Sequence, residues 1–234
     1  QPHSHVIRTA DLDGDGILDL VVDSRDRFGI YVLRGNANGG FEAPGQGVDV
    51  GGSPYLGFVV SDLNGDGKPD IATPNQDDIS VMLNRSSQEI AFERIASIPF
   101  PSPFAVAAAD LNGDESIDLV VAGGEQAHGV ATFSGDGDGH FEEATFTPMA
   151  RGAKLLATGN VTGDEFSDAV ITSWNSEIVL LIGGATGASP VRLAPSGIRN
   201  PWGLAIADFN KDGRGEVVVG DASSSRVHIY SLLP

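Results

Sequence analysis

Short loops rich in aspartate recur along the chain and carry the residues best suited to bind a metal. The first loop, DLDGDGILD, places aspartates at loop positions 1, 3, 5 and 9. Oxygen ligands at these positions, with a backbone carbonyl at position 7, can wrap a hard cation, and calcium takes six to eight such oxygens. Glycines at positions 4 and 6 let the loop curl. The pattern favours calcium over magnesium, because magnesium requires stricter octahedral geometry.

The same loop occurs five times at a nearly constant spacing. The copies begin at residues 11, 62, 110, 160 and 208, so neighbouring copies start 51, 48, 50 and 48 residues apart. The flanks read as strands, and position 12 of the loops is never glutamate, so the helix–loop–helix calcium motif is excluded. Such a regular period indicates a repeat architecture.

The elements between the loops read as short strands. Each repeat of about 50 residues has room for four of them, and no segment shows a sustained helical period. Four strands per repeat predict an all-β fold, a β-propeller with five blades and a last blade that is possibly three-stranded. We expect one domain over residues 1–234. Two alternatives stay open, a closed five-bladed ring or a segment of something longer. The expected blades are 1–52, 53–101, 102–151, 152–199 and 200–234.

Two of the loop sequences, DLDGDGILDL and DLNGDGKPDI, carry a family resemblance. They resemble the FG-GAP/VCBS repeat, the calcium-loop blade of the integrin α-subunit propeller and of many secreted bacterial proteins and lectins. The resemblance covers essentially the whole chain. It implies that side chains at positions 1, 3, 5 and 9 bind calcium, and that the chain lies outside the cell, at its surface or in the periplasm.

The resemblance transfers a ligand set to each loop, with the residue at position 7 contributing its carbonyl. The four sets that match best are Asp11, Asp13, Asp15, Ile17 and Asp19; Asp62, Asn64, Asp66, Lys68 and Asp70; Asp110, Asn112, Asp114, Ser116 and Asp118; and Asp208, Asn210, Asp212, Arg214 and Glu216.

The fourth loop departs most from the pattern. Asn160 and Thr162 stand where the other loops have acids or asparagine, which leaves Asp164 and Asp168 as its carboxylates. We expect four to five calcium ions, with the fourth site weak or empty. Their role is expected to be mainly structural, because a run of carboxylates repels itself unless a cation neutralises it.

The charge balance limits the possible partners. Lys and Arg number 14 against 32 Asp and Glu, a net charge of −18. Nucleic acids and anionic membranes are therefore unsuitable partners, because both attract basic surfaces. No apolar run suggests membrane insertion. Cysteine is absent, which excludes disulfides and thiolate metal sites.

A binding surface is expected on the face opposite the calcium loops. Aromatic residues beside amides and acids suit a sugar or peptide, and the candidates are Tyr55, Phe104, Trp174 and Trp202. Packing between blades is the competing interpretation of these residues. The expected function is binding of a glycan or protein ligand. A structural segment of a larger adhesin is one alternative.

A glycoside hydrolase is the other alternative. It would need two carboxylates about 5–10 Å apart. The acids outside the loops include Asp23, Glu125, Glu177 and Asp221, and no pair among them stands out. We therefore assign no catalytic residue.

Overall fold

The described chain consists of antiparallel strands joined by turns. The computed structural model describes residues 6–24, 29–52, 54, 57–87, 89–124, 126–193 and 197–232. The strands of the first two blades are β1 (Ile7–Ala10), β2 (Asp19–Asp23), β3 (Gly29–Leu33) and β4 (Gln46–Asp49), then β5 (Val59–Ser61), β6 (Asp70–Pro74), β7 (Asp78–Asn84) and β8 (Phe92–Pro99).

The remaining strands repeat the arrangement. They are β9 (Pro103–Ala109), β10 (Asp118–Gly123), β11 (Gly129–Gly135) and β12 (Phe141–Pro148); β13 (Ala153–Gly159), β14 (Asp168–Ser173), β15 (Ile178–Ile182) and β16 (Ser189–Leu193); and β17 (Pro201–Ala207), β18 (Glu216–Asp221) and β19 (Arg226–Tyr230).

Each repeat folds into its own sheet with the strands in sequential order. Four sheets have four strands, and the fifth has the three strands β17, β18 and β19 within the described residues. The prediction of an all-β, five-bladed β-propeller whose last blade is three-stranded is confirmed. Among the described residues, no helix has the length and apolar character needed to cross a membrane.

The chain divides into two compact units, each with its own core. One unit comprises residues 1–106 and 135–140, and its core is built mainly by the first two blades. The other comprises residues 107–134 and 141–234. One core cluster of this unit joins the fourth and fifth blades through Val161, Val170, Ile178, Leu180, Val217 and Val219, with Ile198 beside them. The extent of a single domain over residues 1–234 stays a prediction.

The repeated loops connect the first strand of each blade to the second. Loop position 9 is always the first residue of the second strand, as at Asp19 in β2 and Asp168 in β14. Each second strand then runs through a largely buried apolar segment, so it fixes the loop to the core.

In the first blade, the fourth strand begins well after the turn that follows β3, because β4 starts only at Gln46. Gly35 and Phe41 form an isolated bridge, and the Asn36 side chain accepts the N–H groups of Asn38 and Gly40. Asparagine side chains stabilise turns in this way, and here the turn delays the fourth strand.

Candidate metal loops and a tryptophan–lysine cluster

Backbone N–H groups of the first loop donate hydrogen bonds to the carboxylates of the same loop. Asp11 Oδ1 accepts the N–H of Gly14 at 2.8 Å, and Asp11 Oδ2 accepts that of Gly16 at 2.8 Å. Asp15 Oδ1 accepts the N–H of Ile17, also at 2.8 Å. The second and fifth loops repeat the hydrogen bonds from positions 6 and 7. Positions 1 and 5 are thereby held in a fixed orientation.

Three carboxylates converge in the first loop. One oxygen from each of Asp11, Asp13 and Asp15 lies within 4.8 Å of the others. Arg34 Nη2 lies 2.5 Å from Asp13 Oδ2 and 3.4 Å from Asp15 Oδ2. A guanidinium thus partly neutralises the cluster. The all-oxygen donor set suits calcium, and an ion bound here would compete with Arg34 for Asp13. The sequence analysis missed Arg34, because its place beside the loop depends on the hairpin after β3.

The acid at position 9 joins the first, second and fourth loops to the end of the third strand of their blades. In the first loop, Asp19 is buried, and its two oxygens accept the N–H groups of Leu12 at 2.9 Å and Gly35 at 2.8 Å. In the second loop, Asp70 accepts those of Leu63 and Asn84, at 2.9 and 2.7 Å. Position 9 therefore has a structural task whether or not it also binds a metal.

Burial makes the position-9 charge unfavourable in the second loop. Desolvation, helped by the charges of Asp66 and Asp62, raises the pKa of Asp70 to about 6, although the hydrogen bonds from Asn84 and Leu63 oppose the rise. A carboxyl whose pKa is raised on folding binds protons more tightly in the folded state, so its contribution to stability falls as the pH rises towards 6. A cation in the loop would offset this loss.

The fourth loop satisfies its carboxylate with its own neutral donors. Thr162 Oγ1 donates to Asp168 Oδ2 at 3.1 Å, and the side-chain amide of Asn160 donates to the carbonyl of Asp164. Asn160 Oδ1 accepts the N–H of Gly163 at 2.6 Å. These contacts favour the expectation that this loop binds calcium weakly or not at all, which stays a prediction.

The fifth loop keeps the pattern with a longer last side chain. Glu216 Oε2 accepts the N–H of Phe209 at 2.9 Å, as the position-9 aspartates do in the other loops. Glu216 Oε1 accepts the amide of Asn210 at 2.9 Å. Lys211 takes the place of the glycine at position 4 and has φ of 63°, a left-handed conformation that strains a residue with a side chain.

Two of the predicted ligand-binding residues meet. The ring centroids of Trp174 and Trp202 lie 6.2 Å apart, with the rings at 87°. Trp202 is 53% exposed. Phe104 is buried, which favours the competing packing interpretation for that residue, and Tyr55 lies outside the described residues.

A buried lysine completes this cluster. Lys154 Nζ lies 3.6 Å from the ring centroid of Trp202 and 4.6 Å from that of Trp174, and only 1% of the residue is exposed. It donates to the carbonyl of Pro201 at 2.7 Å and faces Asn200 Oδ1 at 3.4 Å. Both rings thus contact the ammonium group by cation–π interactions. Sequence reasoning missed Lys154, although a lysine in the apolar strand AKLLATG was a signal.

The repeat explains why these residues meet. Lys154 and Trp202 each stand six residues before their loops, at the starts of β13 and β17. Trp174 lies in the turn between β14 and β15. All three therefore lie at the ends of strands remote from the repeated loops, on the face where the sequence analysis expects the binding surface.

The burial of Lys154 predicts a pH dependence of stability. Desolvation lowers the pKa of Lys154 from 10.5 to about 8. Between these values the unfolded chain holds the proton and the folded chain does not, so the free energy of unfolding rises with pH, by about 3 kcal/mol at most. We expect chemical denaturation to show this rise in the wild type and not in Lys154→Met. Parallel curves for the two proteins from pH 7.5 to 10.5 would contradict the prediction.

The acids outside the loops are engaged in hydrogen bonds. Asp23 accepts the N–H of Val6, and Glu177 accepts that of Ala150 and pairs with Arg192. Burial would raise the pKa of Asp221, but hydrogen bonds from Ser224, Asn200 and Ser223 outweigh it and hold that pKa far below its usual value. Such a group is a poor proton donor. Glu125 lies outside the described residues.

Comparison with known proteins agrees with this architecture. The FG-GAP-like repeat family matches residues 11–73 and 62–121. A search of curated protein sequences finds no match. The chain is thus a β-propeller protein whose residues 11–121 match the FG-GAP-like repeat family.

Two solved structures illustrate the likeness in fold. One is a lectin of Agrocybe aegerita that specifically recognises non-reducing terminal N-acetylglucosamine, with a TM-score of 0.63 and 20% identity, over 92% of this chain and 60% of the lectin. The other is the V. cholerae biofilm matrix protein Bap1, with a TM-score of 0.56 and 18% identity, over 87% of this chain and 30% of Bap1. The chain therefore spans less than two thirds of either structure.

Proposed function

We propose that the chain is a calcium-stabilised binding module that acts outside the cell, at its surface or in the periplasm, and takes a glycan as its ligand. The observation that carries the proposal is the half-exposed Trp202 ring held against Lys154 and Trp174. The lectin and the biofilm matrix protein support it by sharing the fold. A protein ligand is the second candidate.

The chemistry of the cluster suits a sugar. A flat aromatic ring offers an apolar platform, and nearby amides can orient hydroxyl groups. The amide residues Asn175 and Asn200 are both exposed and adjoin the cluster in sequence. Lys154 fixes the Trp202 ring from beneath, so the platform is rigid before a ligand arrives. Rigidity lowers the entropic cost of binding.

Calcium has a structural role in this proposal. The loops would hold the ions through the side-chain oxygens at positions 1, 3 and 5, joined by the position-9 acid and the carbonyl of position 7. Bound calcium would neutralise the acidic loops and stabilise the folded chain by mass action. Millimolar calcium is available outside the cell, which supports the proposed location.

A glycan array tests the proposal directly. The wild type is screened in millimolar calcium and, in parallel, in EGTA. For any glycan bound, we expect Trp202→Ala to lose at least about tenfold in affinity, since buried tryptophan contacts are often worth about 2 kcal/mol. Phe146→Ala is the matched control, because Phe146 is also an exposed aromatic residue on a strand.

Each outcome has a clear meaning. Binding that Trp202→Ala leaves unchanged would remove the cluster from the site. An array without any bound glycan would contradict the glycan ligand and favour a protein partner. Both variants must keep the wild-type melting temperature within a few degrees, since both side chains are exposed.

A further inference from the structure

Positive charge is concentrated at one edge of the fourth and fifth blades. The chain has only 14 Lys and Arg residues against 32 acids. Five of the 14 stand at or beside the strand ends that are remote from the repeated loops of these two blades, namely Arg151, Lys154, Arg192, Arg199 and Arg226. We call this set the basic edge. It is a local exception in a strongly acidic chain.

The strand pairing shows that the fifth-blade residues share this edge. Arg226 begins β19 and pairs with Asp221, the last residue of β18. Asp221 also pairs with Pro201, the first residue of β17, and Arg199 stands two residues before it. The fifth loop joins the opposite ends of β17 and β18. Both arginines therefore lie away from the loop.

Arg151 and Arg199 occupy the same position of the repeat. Each is exposed and stands nine residues before the first residue of its loop. Lys154 links the two chain segments, since it lies three residues after Arg151 and its Nζ donates to the carbonyl of Pro201 at 2.7 Å. The two arginines thus stand on the segments that carry Lys154 and Trp202.

The carboxylates at this edge are already engaged. Among the described residues of the compact unit that holds both blades, they are Glu177 and Asp221. Glu177 pairs with Arg192, which also donates to the carbonyl of Pro148. Asp221 is buried and accepts the N–H of Asn200 at 2.9 Å. Their charges therefore leave the other arginines of the edge without compensation.

Three arginines are available to a ligand. Arg151, Arg199 and Arg226 are exposed, and no carboxylate in the described part of the chain pairs with any of them. A guanidinium group presents its donors in a planar fork that matches the oxygens of carboxylates and other oxyanions. The acidic remainder of the chain repels an anionic polymer, so the local field favours its binding at the basic edge.

We infer that the glycan bound at the basic edge is acidic and carries carboxylate or sulfate groups. The inference rests on the proposed function, because Trp202 supplies the platform for a sugar ring. Arg151, Arg199 and Arg226 pair with the acidic groups of that sugar and its neighbours. A neutral glycan would use the platform alone and gain none of these ion pairs.

Matched acidic and neutral probes test the inference. Hyaluronan oligosaccharides carry carboxylates, and the same oligosaccharides with reduced carboxyl groups are their neutral counterpart. Sulfated and unsulfated dextran oligosaccharides form the second pair. Biolayer interferometry in millimolar calcium measures the affinities. We expect at least one acidic probe to bind at least about tenfold more tightly than its counterpart. Raising NaCl from about 50 to about 300 mM should weaken that binding at least about fivefold, because salt screens exposed charges.

Removal of single charges locates the contact. Arg199→Gln should weaken binding of the acidic probe about threefold, and its combination with Arg151→Gln about tenfold, because each exposed ion pair contributes modestly. Lys211→Gln is the matched control. It removes one exposed charge from the same blade at the opposite edge and should bind like the wild type. All these variants should keep the wild-type melting temperature, since the substituted side chains are exposed.

Four results would overturn the inference. They are equal affinities for acidic and neutral probes, no binding of either acidic probe, arginine variants that bind like the wild type, and a loss in Lys211→Gln as large as in Arg199→Gln. Polyglutamate is the acidic peptide probe. If it bound as tightly as the acidic glycans, the ligand would be a protein and the glycan would be rejected.

The inference and the proposed function can fail separately. Neutral glycans bound through Trp202, with no effect of the arginines or of salt, would leave the proposed function intact and reject the acidic ligand. Acidic probes bound through the arginines but unaffected by Trp202→Ala would keep the preference for acidic groups and remove the tryptophan platform from the site.

Discussion

Transfer from millimolar calcium into EGTA should lower the melting temperature of the chain by about 5–10 °C for each strongly bound ion. An ion present at a hundred times its dissociation constant stabilises the folded state by about 2.7 kcal/mol, and 1 kcal/mol shifts the melting temperature of a chain of this size by about 2–4 °C. The loss should be largest for the first loop, where the oxygens of three aspartates lie within 4.8 Å of one another. Circular dichroism in both buffers measures it.

Single substitutions assign the effect to particular loops. Asp15→Asn should remove most of the calcium-dependent shift that belongs to the first loop, because position 5 is an aspartate in all five loops and Asp15 lies in the carboxylate cluster. Asp164→Asn in the fourth loop should change the shift little, since neutral donors already satisfy that loop. Magnesium should substitute poorly. Equal melting temperatures in calcium and EGTA would refute the calcium proposal as a whole.

The fold could be predicted because the repeat constrains it strongly. A nearly constant spacing of the five loops fixes the blade length, and alternation of short apolar runs with turns fixes the strand type. The loops also place their own ligands, because positions 1, 3 and 5 are close in sequence and the backbone turn brings them together. Local spacing was therefore enough to predict the carboxylate cluster of Asp11, Asp13 and Asp15.

Contacts between distant residues could not be predicted in this way. Lys154 lies against two tryptophans that are 20 and 48 residues further along the chain, and only the packed sheets bring the three together. Residues at equivalent positions of the repeat also differ in burial, which the sequence does not show. Phe104 and Trp202 both stand six residues before a loop, yet Phe104 is buried and Trp202 half-exposed. The repeat gives residue types at each position but says nothing about what covers them.

The position-9 acid has two roles, of which the sequence indicates only one. Spacing suggests a metal ligand, and the structure adds a junction between the loop and the third strand. The fourth loop separates the two roles. Its neutral donors already satisfy the oxygens that a cation would bind, whereas Asp168 keeps its hydrogen bonds to the backbone. If the fold needs this junction independently of metal binding, the junction should persist in a loop that binds metal weakly. The fourth loop is therefore the place to measure the junction alone.

Asp168→Asn should destabilise the chain by about 3 kcal/mol, equally in calcium and in EGTA. Asp168 Oδ2 accepts the N–H of Val161 at 2.7 Å and that of Thr162 at 3.0 Å, and Asp168 Oδ1 accepts the N–H of Gly183 at 3.0 Å. The residue is fully buried. An asparagine has only one acceptor oxygen, so at least one buried N–H loses its partner, at about 1–3 kcal/mol, and the charge-assisted bonds weaken as well.

Asp164→Asn is the matched control for this prediction. Asp164 lies in the same loop, is exposed, and accepts the N–H of Phe166 through one oxygen, which an asparagine can replace. Its unfolding free energy should stay within about 0.5 kcal/mol of the wild type, as for most surface substitutions. Urea denaturation in the two buffers gives the comparison. If the loss in Asp168→Asn appeared only in calcium, the main task of Asp168 would be metal binding. If it were equal in both, the acid would be shown to hold the loop to the end of β15 without any ion.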